Sequence, residues 1–484
     1  MNWLDNVIGW LSPEAAYRRQ AFRNALEIER SYDAGSYAKN NQNWRVFNES
    51  AESEDSWNRD VVRARARDLE KNSDVMNSII GAYKRNVFGA GYHLRVSTEN
   101  TELNTQLEKL WEKWQKKRNC DVTGTQTLSQ ILRMMVERKK VDGGAILLKR
   151  FTSDGFLPFQ LQALEVDELD AVSTEVHAEG NKVVGGIEYN SYNKPVGYYF
   201  RRYSTDGYTT EDSEYIPADN VIFMYSKRRP SQVREMSDMA PTITRVRDIN
   251  EFIQSVSVKE RILACFSVFI KRQMPPSTGR STLANGGEAG KYQGKMLTPG
   301  MIQYLNPGDE VQQVTPTGQA TDATQFVKQQ MRMAGSGQGL SYEVTSRDMA
   351  ESNYSSARQG IIEDEMTYQE DIEMIIDVLD EIYSTFVISC VLSGKVDIPD
   401  FWSNKDTYLS HRWVKAPKKW IDPAKEANAN KVALTTGEKS FADIAAERGK
   451  DWKEAIDELA EIQAYAESKG VVVGGIQNGQ TAKG

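Results

Sequence analysis

Across residues 241–271, Ile243, Val246, Ile249, Phe252, Ile253, Val256, Leu263, Phe266 and Ile270 recur about every three or four positions, the signature of one helix face. Pro241 is placed to start that helix, and Pro275-Pro276 forbids its continuation. Helical spacing resumes over 322–334, so a Gly-, Pro-, Ser- and Thr-rich stretch at 274–320 lies between two helices. That stretch holds short strand candidates at 295–297, 301–305 and 310–314. Beyond Gly335-Ser336-Gly337-Gln338-Gly339, which fits a flexible hinge, a polar segment runs to Tyr354. The longest helix follows at 355–392, spanning roughly 57 Å at 1.5 Å per residue. Two helices flanking a compact β module suggest a stalk with a tip.

Upstream the period differs. Residues 13–31 have helical spacing, and 33–57 form a polar, Asn- and Ser-rich arm better ordered by a neighbour than by its own core. One helix is expected over 58–88, ending at Gly89-Ala90-Gly91, with two more at 101–118 and 127–141. The first of these two carries Leu103, Leu107, Leu110, Trp111 and Trp114 on one face. From 143 to 226 the pattern changes to strands at 145–148, 159–164, 186–189, 197–200 and 221–225, separated by Gly, Asn, Pro and Asp turns. Together these make an α+β domain. A Trp- and Pro-bearing segment, helices at 423–434, 440–447 and 451–468, and a disordered Gly/Gln-rich tail complete the chain.

With 484 residues, 39% of them hydrophobic and 26% charged, the chain suits a multi-part protein with much exposed surface. No run of eighteen apolar residues predicts a membrane span. Three scattered cysteines without a CxxC argue against a zinc or disulfide framework. A net charge of −8 argues against a protein that wraps DNA through counterion release, though not against one that DNA must slide past.

Five segments, in order, carry a resemblance: Arg63-Ala64-Arg65-Ala66-Arg67-Asp68-Leu69 with Asn86-Val87-Phe88-Gly89-Ala90-Gly91; Arg229-Pro230-Ser231-Gln232-Val233-Arg234; Gly339-Leu340-Ser341-Tyr342-Glu343; Asn353-Tyr354-Ser355-Ser356-Ala357-Arg358; and Trp420-Ile421-Asp422-Pro423-Ala424-Lys425-Glu426-Ala427. The chain resembles the portal family of lambda-like tailed phages. It departs at Val233-Arg234, where the family pattern has a glycine after the arginine. The resemblance implies an α+β portal fold: an N-terminal helix and arm (1–57), an α/β wing (58–240), stem helices (241–271 and 322–338) and a β-rich clip (272–321). It further implies a tunnel loop (339–354), a long helix joining wing to crown (355–394), a mostly helical crown (395–470) and the tail (471–484). The implied protein is a ring of subunits, usually twelve, at one capsid vertex of the virion, assembled in the host cytoplasm. Double-stranded DNA passes through it in packaging and ejection. Its implied partners are the terminase large subunit, head-completion or adaptor proteins, and major capsid and scaffold proteins, with no membrane and no cofactor. Another connector or minor capsid protein is the alternative within phage structure.

An α+β hydrolase is a weaker alternative, because the sequence offers no nucleophile–base pair. His93, His177 and His411 are scattered, no Walker A motif appears, and Gly335, Gly337 and Gly339 follow a helix instead of a strand. No catalytic, cofactor or metal residue is therefore assigned, and Glu165, Asp167, Glu168 and Asp170 read as solvated turn residues. For DNA contact the candidates are Lys328 and Arg332, four apart on one helix face, with Arg347 in the loop and Arg358 after it. No basic residue lies between Arg358 and Lys395, whereas nine acids do. Such a helix would repel itself. Glu370, Glu373 and Asp377 are therefore expected to meet basic residues of a neighbouring subunit, for instance Arg63, Arg65 and Arg67, or else to line the channel.

Overall fold

The computed structural model describes residues 48–153, 155–264, 268–272, 309–313, 320–350, 353–416, 423–450 and 452–471, plus a few isolated positions before 48. The chain divides into two units, residues 1–54 and 55–484. In the first, description is confined mainly to the start of the short helix Ala51–Asp55. The fold below is that of the second.

Helices α1 (Arg59–Asn72) and α2 (Asp74–Tyr83) replace the single helix expected over 58–88. The break is chemical. Ser73 is extended, and its hydroxyl accepts from the Met76 amide, so it caps a new helix with Asp74 in the first turn. A π-helical turn, Lys84–Phe88, then leads into β1 (Tyr92–Val96). Helix α3 (Thr101–Trp114) buries Leu103, Leu107, Trp111 and Trp114, the face its spacing predicts. Helix α4 (Leu128–Asp142) opens on a capping box between Thr127 and Gln130. It closes on Gly143 at φ +94°, where an added Cβ would lie 2.3 Å from the Met236 backbone, so only glycine fits.

Two antiparallel sheets follow. β2 (Gly144–Arg150) is central in a three-stranded sheet, with β3 (Gln160–Leu164) on one side and β8 (Val221–Tyr225) on the other. β4 (Lys182–Val184), β5 (Ile187–Tyr189), β6 (Pro195–Phe200) and β7 (Glu214–Pro217) form a four-stranded meander. The run Ala145-Ile146-Leu147-Leu148 is apolar throughout because β2 is buried on both faces. Ala145 and Leu147 join the main core, while Ile146 and Leu148 join a smaller core with Leu169, Ile187, Tyr198 and Phe200.

Helix α5 (Ile243–Ala264) is shorter than its predicted 241–271, and Val268–Arg272 is instead strand β9, paired antiparallel with β10 (Asp309–Gln313). Ile270, which the three-four spacing included, stands with Val268 and Phe269 in a run of β-formers. The candidate strands 295–297 and 301–305 lie outside the described residues. Helix α6 (Ala320–Ser336) packs back on α5, with Phe252 and Phe326 rings 4.6 Å apart and Arg245 donating to Gln330. A short helix α7 (Tyr342–Ser346) precedes α8 (Tyr354–Leu392), 39 residues long and about 58 Å at 1.5 Å per residue. Strand β11 (His411–Lys415), absent from the sequence reading, pairs with β1 and sets Trp413 opposite Leu94. Helices α9 (Pro423–Thr436), α10 (Phe441–Glu447) and α11 (Trp452–Lys469) end the described chain.

The main core is centred on α8. Trp111, Trp114, Tyr383 and Phe386 interlock, Trp114 stacks on Phe159 at 5.2 Å, and its indole N–H donates to the Phe159 carbonyl. Each such fully buried side chain contributes about 1.5–3 kcal/mol.

Candidate functional site

The junction between α6 and α7 is built by close approach. An added Cβ at Gly335 would sit 2.4 Å from the Thr345 hydroxyl and 2.9 Å from the Leu340 carbonyl. Gly339, at φ +67°, leaves the same narrow gap to the Thr367 side chain, 2.8 Å. Between them Gln338 is buried. Its side-chain amide donates to the Asp238 main-chain carbonyl (3.1 Å) and the Thr242 hydroxyl (2.7 Å), while its main-chain carbonyl accepts from the Tyr83 hydroxyl (2.5 Å). The Thr367 hydroxyl donates to the Gly339 carbonyl. The Ser341 amide and hydroxyl each donate to the Asp364 carboxylate at 2.7 Å. The glycines expected to be a flexible hinge are instead small because the chain crosses packed side chains there.

The four basic candidates surround this junction without merging into one cluster. Lys328 is half-buried on α6. Arg332 is exposed, and its guanidinium lies over the Tyr342 ring at 5.1 Å, linking α6 to α7. Arg347, exposed at φ +58°, closes α7, and Arg358 is exposed near the start of α8. The sequence reading missed Arg85. Burial and then the like charge of Arg347 hold its guanidinium below the usual arginine range.

The acids of α8 are partly neutralised within the chain. Asp371 is buried between Lys139 and Lys140 (2.7 Å to Lys140), and both lysines also contact Asp238 at 2.9 and 3.1 Å. Arg228 reaches the other oxygen of Asp238, and the Lys140 ammonium lies 3.8 Å over the Tyr83 ring. Asp380 accepts from the Trp413 indole and meets His411, and Glu381 pairs with Lys149. Glu370 accepts from the Ser226 hydroxyl, whereas Glu373 and Asp377 are exposed.

A second network joins α1 to the segments that carry Asp167 and Glu235. Arg63 is buried and pairs with Asp167 and Glu235, while Arg59 donates to the Glu235 carbonyl. Arg67 bridges Asp142, Asp167 and Glu165. Arg234, where the family pattern is broken, is buried against Glu235 and the Val166 carbonyl. Arg63 and Arg67 are thus engaged inside their own chain, and Arg65 alone of the three is exposed. Of the acidic cluster expected to be solvated, Glu165 is exposed, whereas Asp167 is partly buried and Glu168 and Asp170 are buried. Asp170 pairs with Arg201, and Glu168 accepts from the Glu165 and Tyr203 amides. Among the described residues no group of three or more His, Cys, Asp or Glu side chains is arranged to hold a metal.

Packed helices, small antiparallel sheets and buried ionic joints make a structural scaffold, with Arg332 and Arg347 exposed on the two helices that meet at the α6–α7 junction. The phage portal protein model of the lambda family matches residues 37–371, and the chain belongs to that family. It is 23% identical over 463 residues to the "Probable portal protein" of Halomonas phage phiHAP-1, covering 91% of this chain and 88% of the relative. It is 19% identical to portal protein B of Escherichia phage lambda over 441 residues, 81% of each chain. It is likewise similar to a chain in the neck of an empty gene transfer agent particle, at a TM-score of 0.45 and 11% identity, covering 80% of this chain and 93% of that one. The portal family is structural in character, and the chain functions as a phage portal protein.

Proposed function

We propose that the chain assembles as a ring at one capsid vertex and that DNA passes through its centre during packaging and ejection. The observation that carries this reading is the helical pair α5–α6 capped by the β9–β10 strands, joined through the clamped junction to α8. That order supports assigning α5 and α6 to the stem, the 272–321 segment to the clip and 339–354 to the tunnel loop. Lys328, Arg332, Arg347 and Arg358, with Arg85 beside Arg347, supply sparse positive charge on an acidic chain. Such contacts go to phosphate and carry no sequence information. The clip side offers its surface to the terminase large subunit and later to head-completion proteins, and the ring meets major capsid and scaffold proteins in the host cytoplasm.

Between subunits, the exposed Arg65 is the arginine of α1 available to the exposed Glu373 and Asp377. Light scattering with negative-stain imaging tests the central claim: rings of about twelve subunits around a hole as wide as duplex DNA are expected. A chain that stays monomeric even with capsid and scaffold proteins would overturn it. Within rings, Arg65→Glu is expected to weaken assembly and Glu373→Lys to restore it; no effect from either reversal would remove that contact from the interface.

A further inference from the structure

Helix α11 has a continuous apolar arc. Trp452, Ala455, Ile456, Leu459, Ile462 and Ala466 follow one another at spacings that keep them on one side of the helix. In a folded chain such an arc faces a core, yet only Ala466 is buried, and Trp452, Ile456 and Ile462 remain 38%, 45% and 43% exposed. The arc continues into an open apolar hollow of about 670 Å³ bordered by Ile462, Tyr465, Ala466 and Val471. Helix α10 covers only part of it, through Ile444 and Ala445. Helix α9 is more exposed still: fourteen residues, none buried, with Val432 and Leu434 turned outward. A helix of that length is marginal in water unless something packs on it.

We propose that a second copy of this chain covers these three helices in the assembled ring, so that 423–471 acquires its core on assembly. The inference rests on the ring reading above. The geometry of a ring and the charges of the helices both point to another copy as the occupant. A closed ring brings the same helices of successive subunits together through a head-to-tail contact, so a face left open on one subunit is covered by a different face of the next. The charges also complement: α11 carries five acids against two lysines, while α9 carries Lys425 and Lys431 against Glu426. An α11 arc laid against the next subunit's α9 would bury both apolar faces and set acids beside lysines.

Hydrogen exchange on the full-length chain, as rings and as unassembled subunits, reads this directly. Amides of 423–471 are expected to exchange roughly tenfold or more slowly in the ring, while those of α8 are protected in both forms. The full-length double variant Ile456→Glu/Ile462→Glu puts like charges into the arc of an already acidic helix. It is expected to move the ring–subunit equilibrium roughly tenfold toward subunits, with α8 protection unchanged. Equal exchange of 423–471 in rings and subunits would overturn the proposal, as would protection that arises only on adding a capsid or scaffold protein. Failure of the wild-type chain to form rings at all would instead remove the ring reading, and this inference with it.

Discussion

Replacing Asp371 by Asn probes the joint that ties α8 to α4. The Asp371 carboxylate is 3% exposed and lies within ion-pair distance of Lys139 and Lys140. In the wild type these two ammoniums and the partly exposed Arg228 face two carboxylates, Asp371 and Asp238. Asp371→Asn leaves two buried lysines sharing one carboxylate. Breaking a buried pair from one side costs about 3–5 kcal/mol, and the retained amide oxygen places the expected loss near 3 kcal/mol. Against a typical net stability of roughly 5–15 kcal/mol that is a large fraction. Urea unfolding followed by tryptophan fluorescence is a suitable assay, because Trp111 and Trp114 pack against Tyr383 and Phe386 on the same helix. Adding Lys139→Met to Asp371→Asn should give back about 0.5–3 kcal/mol as coupling between neighbours. A single variant within about 0.5 kcal/mol of wild type would refute the claim that this joint holds α8.

The pH dependence should follow from the same carboxylates. Burial opposes the Asp238 carboxylate, but Lys140 and Lys139 outweigh it and hold it below the usual range. Its stability contribution is thus present above the unfolded value near 4 and is lost as pH falls through the lower folded value, visible as acid unfolding. Asp364 runs the other way: burial raises it despite the Ser341 hydrogen bonds, so the folded state gains stability as pH falls through its raised value. Asp364→Asn, which keeps an acceptor for Ser341, should therefore alter stability by no more than about 1 kcal/mol and flatten that part of the pH profile. Gly335→Ala should cost about 1–3 kcal/mol by overpacking against Thr345, and Thr345→Ala on the same chain should recover part of it in thermal melts.

Much of this architecture could be read without coordinates. Helices α5 and α6, the long α8, most strands between 144 and 225 and the terminal helices stand close to where their periods put them. Strands β4, β7 and β11 were missed because Lys182–Val184, Glu214–Pro217 and His411–Lys415 are short, at least half-exposed for the most part and polar in part, so they lack a clear alternation. The ionic joints were missed for a different reason. Lys139 and Asp371 are 232 residues apart, and spacing along a chain says nothing of such pairs. A signal was nevertheless present. Asp364 and Asp371 fall in register with Tyr368, Ile375, Val378 and Ile382 on the buried stripe of α8, and an acid within an apolar stripe requires a buried partner. Arg59 and Arg63, in register with Ala66 on α1, carry the same message. Reading the acids of α8 as one undivided charged surface hid the two that face inward.

The clamped junction has a mechanical corollary. Gly339 and Ser341 are bonded to Thr367 and Asp364, on the same unbroken helix that carries Asp371 and the aromatic residues Tyr383 and Phe386. A load applied to Tyr342–Ser346 is therefore delivered to the side of a rod of about 58 Å, which passes it toward the strand-bearing domain through the paired lysines. A pull on α7 would therefore be felt as torque on the whole of α8.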